Sequence, residues 1–317
     1  MGPEITSTHS IRPREKRNER ESDVGCAPAA LKEIKYRHYL FSAFIALSVV
    51  AFWRLLKELV HTALHLDFCS QVLVIPFATL LLVYWNRKKI FGQIKSGPAL
   101  GGMVFLVGIV VYWLGRHEAL FLGPYDSLSL ATSGIVLVWI AGFSLVYGPA
   151  ACRAAVYPIG FLFLTVPIPS HLLNWSVFCL QSGSTAVAKG LFEIFGVPVM
   201  RHGFILSLPG LTIEVAKECS SIRSSIALVI SCLIAGYLFL RSAWKRAALV
   251  LIALPLSLLK NGIRIVTLSL LSIYVNPAFM KSDLHRDGGV LFYLLALAIL
   301  FPLFRWFEKS DLRDQAG

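Results

Sequence analysis

From residue 39 onward the chain alternates long apolar runs with short polar breaks. The runs are Tyr39 to Trp53 with its continuation, Phe68 to Trp85, Ala99 to Leu114, Ser127 to Tyr147, Ala154 to Val166, Cys219 to Leu240, Ala247 to about Leu271, and Val290 to Phe304. A helix crosses roughly 30 Å of hydrocarbon with about 20 apolar residues, and several of these runs are long enough. The pattern therefore predicts an all-α polytopic membrane protein with about eight transmembrane helices. The stretch between Pro169 and Gly196 is ambiguous. Its Ser182-Gly183-Ser184-Thr185 break and its Lys189 and Glu193 favour an interfacial helix or a re-entrant hairpin over a crossing.

Between Val197 and Val215 the period shortens. Alternating apolar residues, broken at Gly203 and at Pro209-Gly210, read as short strands and turns. Such strands would leave unsatisfied edges in lipid but are allowed outside it. The expectation is a small extracytoplasmic β element directly before Cys219, serving as a lid or a substrate-docking edge.

Composition agrees with a membrane class, at 56% hydrophobic and 15% charged residues with a mean hydropathy of +0.68. The net charge of +12 would suggest nucleic acid in a soluble chain, but the basic residues cluster in loops and in the tail, so no nucleic-acid partner is expected. Residues 1–38 carry eight Arg and Lys without the apolar core of a signal peptide and read as a disordered basic cytoplasmic tail. Residues 39–317 read as one transmembrane domain. Arg87-Lys88-Lys89 and Arg241 with Lys245-Arg246 should be cytoplasmic loops. Both fit if Pro169 to Lys217 makes no net crossing. Cys219 then begins a span on the outer side, Arg264 lies towards the outer end of the next, and His285 opens the last.

Those three residues mark where ionisable chemistry interrupts apolar sequence, which is costly unless the residue lines a site. Cys219 sits in Glu218-Cys219-Ser220-Ser221-Ile222-Arg223. At the first turn of a helix, with Arg223 at i+4, its thiol would be favoured as thiolate, the form that attacks carbonyls. Glu218 opposes this unless it points to solvent or pairs with Arg223. The alternative is a buried helical Cys. Arg264, in Asn261-Gly262-Ile263-Arg264, has a donor fork suited to an oxyanion or a carboxylate; otherwise it snorkels to the interface. Asn261 and Lys260 add polarity one turn earlier, and Gly262 permits close helix packing. His285, before Gly288-Gly289, can act as acid and base near neutral pH, or can be a solvated loop histidine.

The six cysteines show neither CxxC spacing nor paired His, so no metal, cofactor or disulfide framework is expected. A redox pair of Cys219 with Cys232 is set aside, since thirteen helical residues separate the sulfurs by roughly 20 Å. A transporter binding an anion at Arg264 and Lys260 is the competing class. It calls for inverted repeats, and the chain has no evident internal repeat.

Taken together, Glu214 through Ser224, Asn261-Gly262-Ile263-Arg264-Ile265-Val266, and His285 followed by Gly289 resemble the exosortase/archaeosortase family. The likeness extends to Phe163-Leu164-Thr165-Val166-Pro167-Ile168-Pro169 and covers most of Asp67 to Phe304. The resemblance implies a membrane cysteine protease-transpeptidase with Cys219, Arg264 and His285 as the catalytic set. Glu218, Arg223 and Asn261 would support it. Its implied substrates are secreted proteins ending in a short motif such as Pro-Glu-Pro, a transmembrane helix and a basic cluster, with a glycan or lipid as candidate acceptor. The implied location is the inner membrane, with the site on the extracytoplasmic side. Two departures bear on substrate subclass: Ser221 replaces an expected Gly, and Phe68-Cys69-Ser70-Gln71 replaces a Tyr-Ser-His-Gly type of sequence.

Overall fold

A computed structural model describes residues 15–66, 69–92, 98–117, 122–215, 222–276 and 289–313, with side chains from Lys32 onward, Pro98 excepted. Helices α1 (Glu15–Ala51), α2 (Trp53–His65), α3 (Gln71–Trp85), α4 (Arg87–Phe91), α5 (Pro98–Arg116), α6 (Pro124–Ala154) and α7 (Val156–Phe161) lead into a 3-10 turn, Leu162–Thr165, and α8 (Ser170–Ile194). Strands β1 (Met200–His202), β2 (Ile205–Leu208) and β3 (Leu211–Glu214) then precede α9 (Ile222–Phe239), α10 (Ala243–Tyr274) and α11 (Gly289–Arg313).

Among the described residues five helices, α5, α6, α9, α10 and α11, are long and apolar enough to cross a membrane. Two bent pairs raise the number to seven if each is one span, and α3 is a shorter apolar helix. Each expected apolar run thus has a helical counterpart, though not always a full span. Ala154 to Val166 is a six-residue helix and a 3-10 turn, stopped by Pro167 and Pro169, whose rings clash with a preceding helical turn. The chain then bends by 88° into α8. No hairpin forms within α8. Its polar Ser184 and Thr185 are fully buried and so face protein, which is why a run resembling an interfacial surface stays helical. At the other end of the chain, α1 already begins at Glu15, inside the stretch expected to be disordered. Arg37 donates to the Val146 carbonyl and His38 Nδ1 lies 2.7 Å from Tyr147 Oη, docking this helix on α6.

The tightest helix pair is α5 with α6. Gly101, Gly108 and Gly115 recur every seven residues on α5 and meet Leu145, Val138 and Ala131 of α6 in antiparallel order. A Cβ on Gly115 would stand 2.4 Å from the Ala131 nitrogen, and one on Gly134 2.4 Å from the Tyr112 nitrogen. Lipid tails are as apolar as side chains, so membrane helices associate through such close backbone contact.

Helices α9, α10 and α11 form a second bundle around Leu228, Cys232, Leu249, Ala253, Ala296 and Leu300. Ser231 Oγ and Tyr293 Oη, 2.8 Å apart, bridge α9 and α11. At one end, the buried Lys245 and Asp311 pair at 2.8 Å, and Asp311 also accepts the Arg241 and Ser242 amides, tying the α9–α10 turn to the end of α11. α3 starts at the end where α9 starts, because Gln71 lines a cavity with Ile226 and Ile230. The basic turns after α3 and after α9 therefore share the opposite end. Phe91 contacts His38 there, which adds the docked part of α1.

The sheet has order β1-β2-β3, both pairs antiparallel. Its turns place Gly203 (φ 63°) and Gly210 (φ 78°) in the left-handed region, where glycine carries no steric penalty. Leu206, Leu208, Ile213 and Val215 bury against Ala188 and Phe192 of α8 and Ile265 and Val266 of α10.

Replacing Gly108 by Val should lower the thermal midpoint in detergent, at a cost of about 1–3 kcal/mol for the forced overpacking. Gly102→Val, where nothing lies within 4 Å, should leave the midpoint near wild type. Equal midpoints for the two variants would refute the close-contact account of the α5–α6 pair.

Candidate active site

At the end opposite the basic turns, α8, α10, the sheet and the start of α9 meet. The Lys260 ammonium, 2% exposed, donates to the Ser224 hydroxyl in the first turn of α9. Arg264 lies one turn further along α10 on the same face and is half-buried. Arg223, beside Ser224, is exposed. One hydrogen bond thus sets the cationic stretch of α10 against the beginning of α9.

Asn261, 1% exposed, points to the other side of α10 and donates to Ser184 Oγ at 2.9 Å. Next to it, a Cβ on Gly262 would lie 2.5 Å from Val187 Cγ1, so α8 crosses where α10 has no side chain. Gln181 of α8 donates to the Val215 carbonyl, just past β3, and Thr185 returns a hydrogen bond to the Gln181 carbonyl at 2.7 Å. A polar ladder therefore runs from α10 through α8 to the end of the sheet. Sequence reasoning missed Gln181, Ser184, Thr185 and Ser224. The signal available was the polar run at 182–185, which reads equally well as an exposed surface.

The elbow before α8 is pinned from α6. Asp126 accepts the Ser170 amide at 2.6 Å and also its hydroxyl, and Ser129 donates to the Pro167 carbonyl at 2.7 Å. A carboxylate at a helix N-terminus satisfies free N–H groups and suits the helix dipole. Beside this elbow a cavity of about 320 Å³ opens among Gln71, Ser133, Pro167, Leu172, Ile226 and Ile230. Its Ile226 lies one turn into α9.

Of the residues singled out from sequence, Arg223, Asn261 and Arg264 come to this end, although Asn261 faces α8 and serves packing. Glu218, Cys219 and His285 lie outside the described residues. The described residues flanking them in the chain are Val215 and Ile222 for Glu218 and Cys219, and Asn276 and Gly289 for His285. Among the described residues no group of His, Cys, Asp and Glu could hold a metal ion.

The family model for transmembrane exosortase (Exosortase_EpsH) matches residues 64–302, three quarters of the chain. The chain belongs to the transmembrane exosortase family. Comparison with curated proteins and with solved structures gives no match. Exosortases are transpeptidase-type enzymes that process sorting signals of secreted proteins, which fits a multi-pass protein with helices such as α6 and α10. The matched range contains both polar marks on α9 and α10 and stops inside α11. For an exosortase, buried cations at one end of a helix bundle are candidate site residues; for a passive span they would be costly.

The Asn261–Ser184 contact should couple α10 to α8 energetically. Asn261→Ala should cost about 1–3 kcal/mol by leaving a buried partner unsatisfied. A double-mutant cycle with Ser184→Ala, read by thermal unfolding in detergent, should give a coupling on the order of 1 kcal/mol. Strict additivity would sink the assignment.

Proposed function

We propose that this exosortase is a cysteine protease-transpeptidase that cleaves C-terminal sorting signals and passes the cleaved protein to an acceptor. Family membership across residues 64–302 carries this reading, supported by Arg264, Lys260 and the start of α9 gathering at one end of the bundle. The basic turns at the other end would face the cytoplasm under the positive-inside bias. The site would then open on the extracytoplasmic face of the inner membrane, where exported substrates arrive.

In this mechanism the Cys219 thiolate attacks the scissile carbonyl, and a tetrahedral oxyanion forms. Arg264 provides the charged donors that stabilise it. Collapse breaks the C–N bond as His285 protonates the departing amine, leaving a thioester on Cys219. An acceptor hydroxyl or amine on a glycan or lipid then attacks the thioester, His285 takes its proton, and the thiolate is released. Arg223, exposed at the first turn of α9, would favour the thiolate, with Glu218 modulating that effect. Residues 39–317 would act as one transmembrane unit behind a basic cytoplasmic N-terminal stretch.

Cys219→Ala should abolish processing of a co-expressed sorting-signal protein while the enzyme remains at normal level in the membrane fraction. Unchanged processing would remove the nucleophile assignment. Arg264→Gln should lower kcat by about 10²–10³ with little change in KM, as loss of an oxyanion donor does. A loss expressed wholly in KM would instead assign Arg264 to substrate binding.

A further inference from the structure

The outer edge of the small sheet, on the strand that precedes the proposed nucleophile in the chain, has free backbone groups. The Val215 amide donates to the Phe204 carbonyl at 2.9 Å. In an antiparallel ladder this fixes Phe204–Val215, Leu206–Ile213 and Leu208–Leu211 as the pairs that exchange hydrogen bonds, because such pairs alternate with non-bonded ones. The intervening residues of β3, Thr212 and Glu214, must then aim both N–H and C=O away from β2. Among the described residues nothing bonds to these four groups. Both side chains are exposed, while Leu211 and Ile213 turn inward. The opposite edge offers less: β1 has three residues and one outward-facing position, Arg201, whose Nε folds back onto the Gly203 carbonyl at 2.9 Å.

We propose that β3 is the docking edge for substrate, taking an extended polypeptide as a fourth, antiparallel or parallel strand through the backbone groups of Thr212 and Glu214. The occupant is fixed by the surface itself. Two donors and two acceptors at a two-residue spacing match an extended main chain and no compact ligand. The edge is polar in side chain, so recognition comes from main chain and not from a greasy face. It is also held rigidly. Val215 is clamped by Gln181 of α8, and Ile213 is buried between α8 and α10. Edge strands commonly carry a charge that discourages indiscriminate pairing, and Glu214 can fill that role without blocking the Thr212 groups.

This inference rests on the protease reading for the identity of the peptide, since β3 runs within five residues of Cys219. The probe is a synthetic C-terminal segment of a secreted protein carrying a Pro-Glu-Pro motif, an apolar helix and a basic cluster. Single N-methyl groups are placed at successive residues just before the motif, and the full-length enzyme is used in detergent. Strand pairing predicts losses in kcat/KM of about tenfold at every second position, one hydrogen bond each, with smaller effects between them. A photo-crosslinking residue at position 212, in the Cys219→Ala background, should capture the same peptide, whereas one at position 201 should not. Cleavage without alternation and without capture at 212 overturns the docking edge and leaves the protease reading standing. Capture at 212 with no cleavage by the wild type upholds the edge and overturns the protease reading. Neither capture nor cleavage overturns both.

Discussion

The arrangement of the site end depends on the crossing of α8 over α10 at Gly262. Backbones approach there because a side chain at 262 would collide with Val187, and the contact is sealed by Asn261 reaching Ser184. In an apolar medium the usual drive to bury greasy surface is absent between helices, so close packing and satisfied polar groups must supply the association. The same helix then holds the sheet, through Ala188 and Phe192 beneath Leu206 and Ile213, and holds the exit of β3 through Gln181. The three strands would be too short to be stable alone. They exist because one helix is laid across another at a glycine.

The bundle is polarised in its chemistry as well as its shape. At the basic end a buried ammonium and carboxylate, Lys245 and Asp311, neutralise each other, and the carboxylate is completed by two backbone amides. Desolvation of such a pair is offset only when the remaining lone pairs are satisfied, which is the case here. At the site end, Lys260 is equally buried, yet the partner shown for it is a neutral hydroxyl, Ser224. A hydroxyl accepts a hydrogen bond from the ammonium but cancels none of its charge. The first arrangement fastens helices together through paired charges; the second joins α10 to the first turn of α9 through a charge-assisted hydrogen bond.

Much of this was legible in the sequence. The change of period after Val197, with Gly203 and Pro209-Gly210 at its breaks, located the three strands because turn geometry requires those residues. The apolar runs located the helices for an equally local reason. Where reading failed, the cause was tertiary. Ser184 and Thr185 look like surface until Asn261 and the backbone of α8 are brought to them, and Ala154 to Val166 looks like a span although the chain, at Pro167 and Pro169 just beyond it, bends by 88° into α8. Polarity in a sequence says that a partner is needed, without saying whether that partner is water or another helix. The motif around Arg264 was readable for the same reason in reverse: Lys260, Asn261 and Arg264 have no apolar explanation within α10.

The two ends of the polar ladder connect packing to reactivity. From Lys260 and Ser224 the ladder fixes where α9 begins; through Asn261, Ser184, Gln181 and Val215 it fixes where β3 ends. Val215 and Ser224 are thus each held to a buried side chain of a neighbouring helix. Groups fixed by packing before a ligand arrives carry less ordering cost on binding than groups left free. Hydrogen-bonding side chains on α8, which touch no substrate in the proposed mechanism, are buried as completely as the apolar core because they hold other elements in place: Ser184 receives Asn261 of α10, and Gln181 holds the exit of β3.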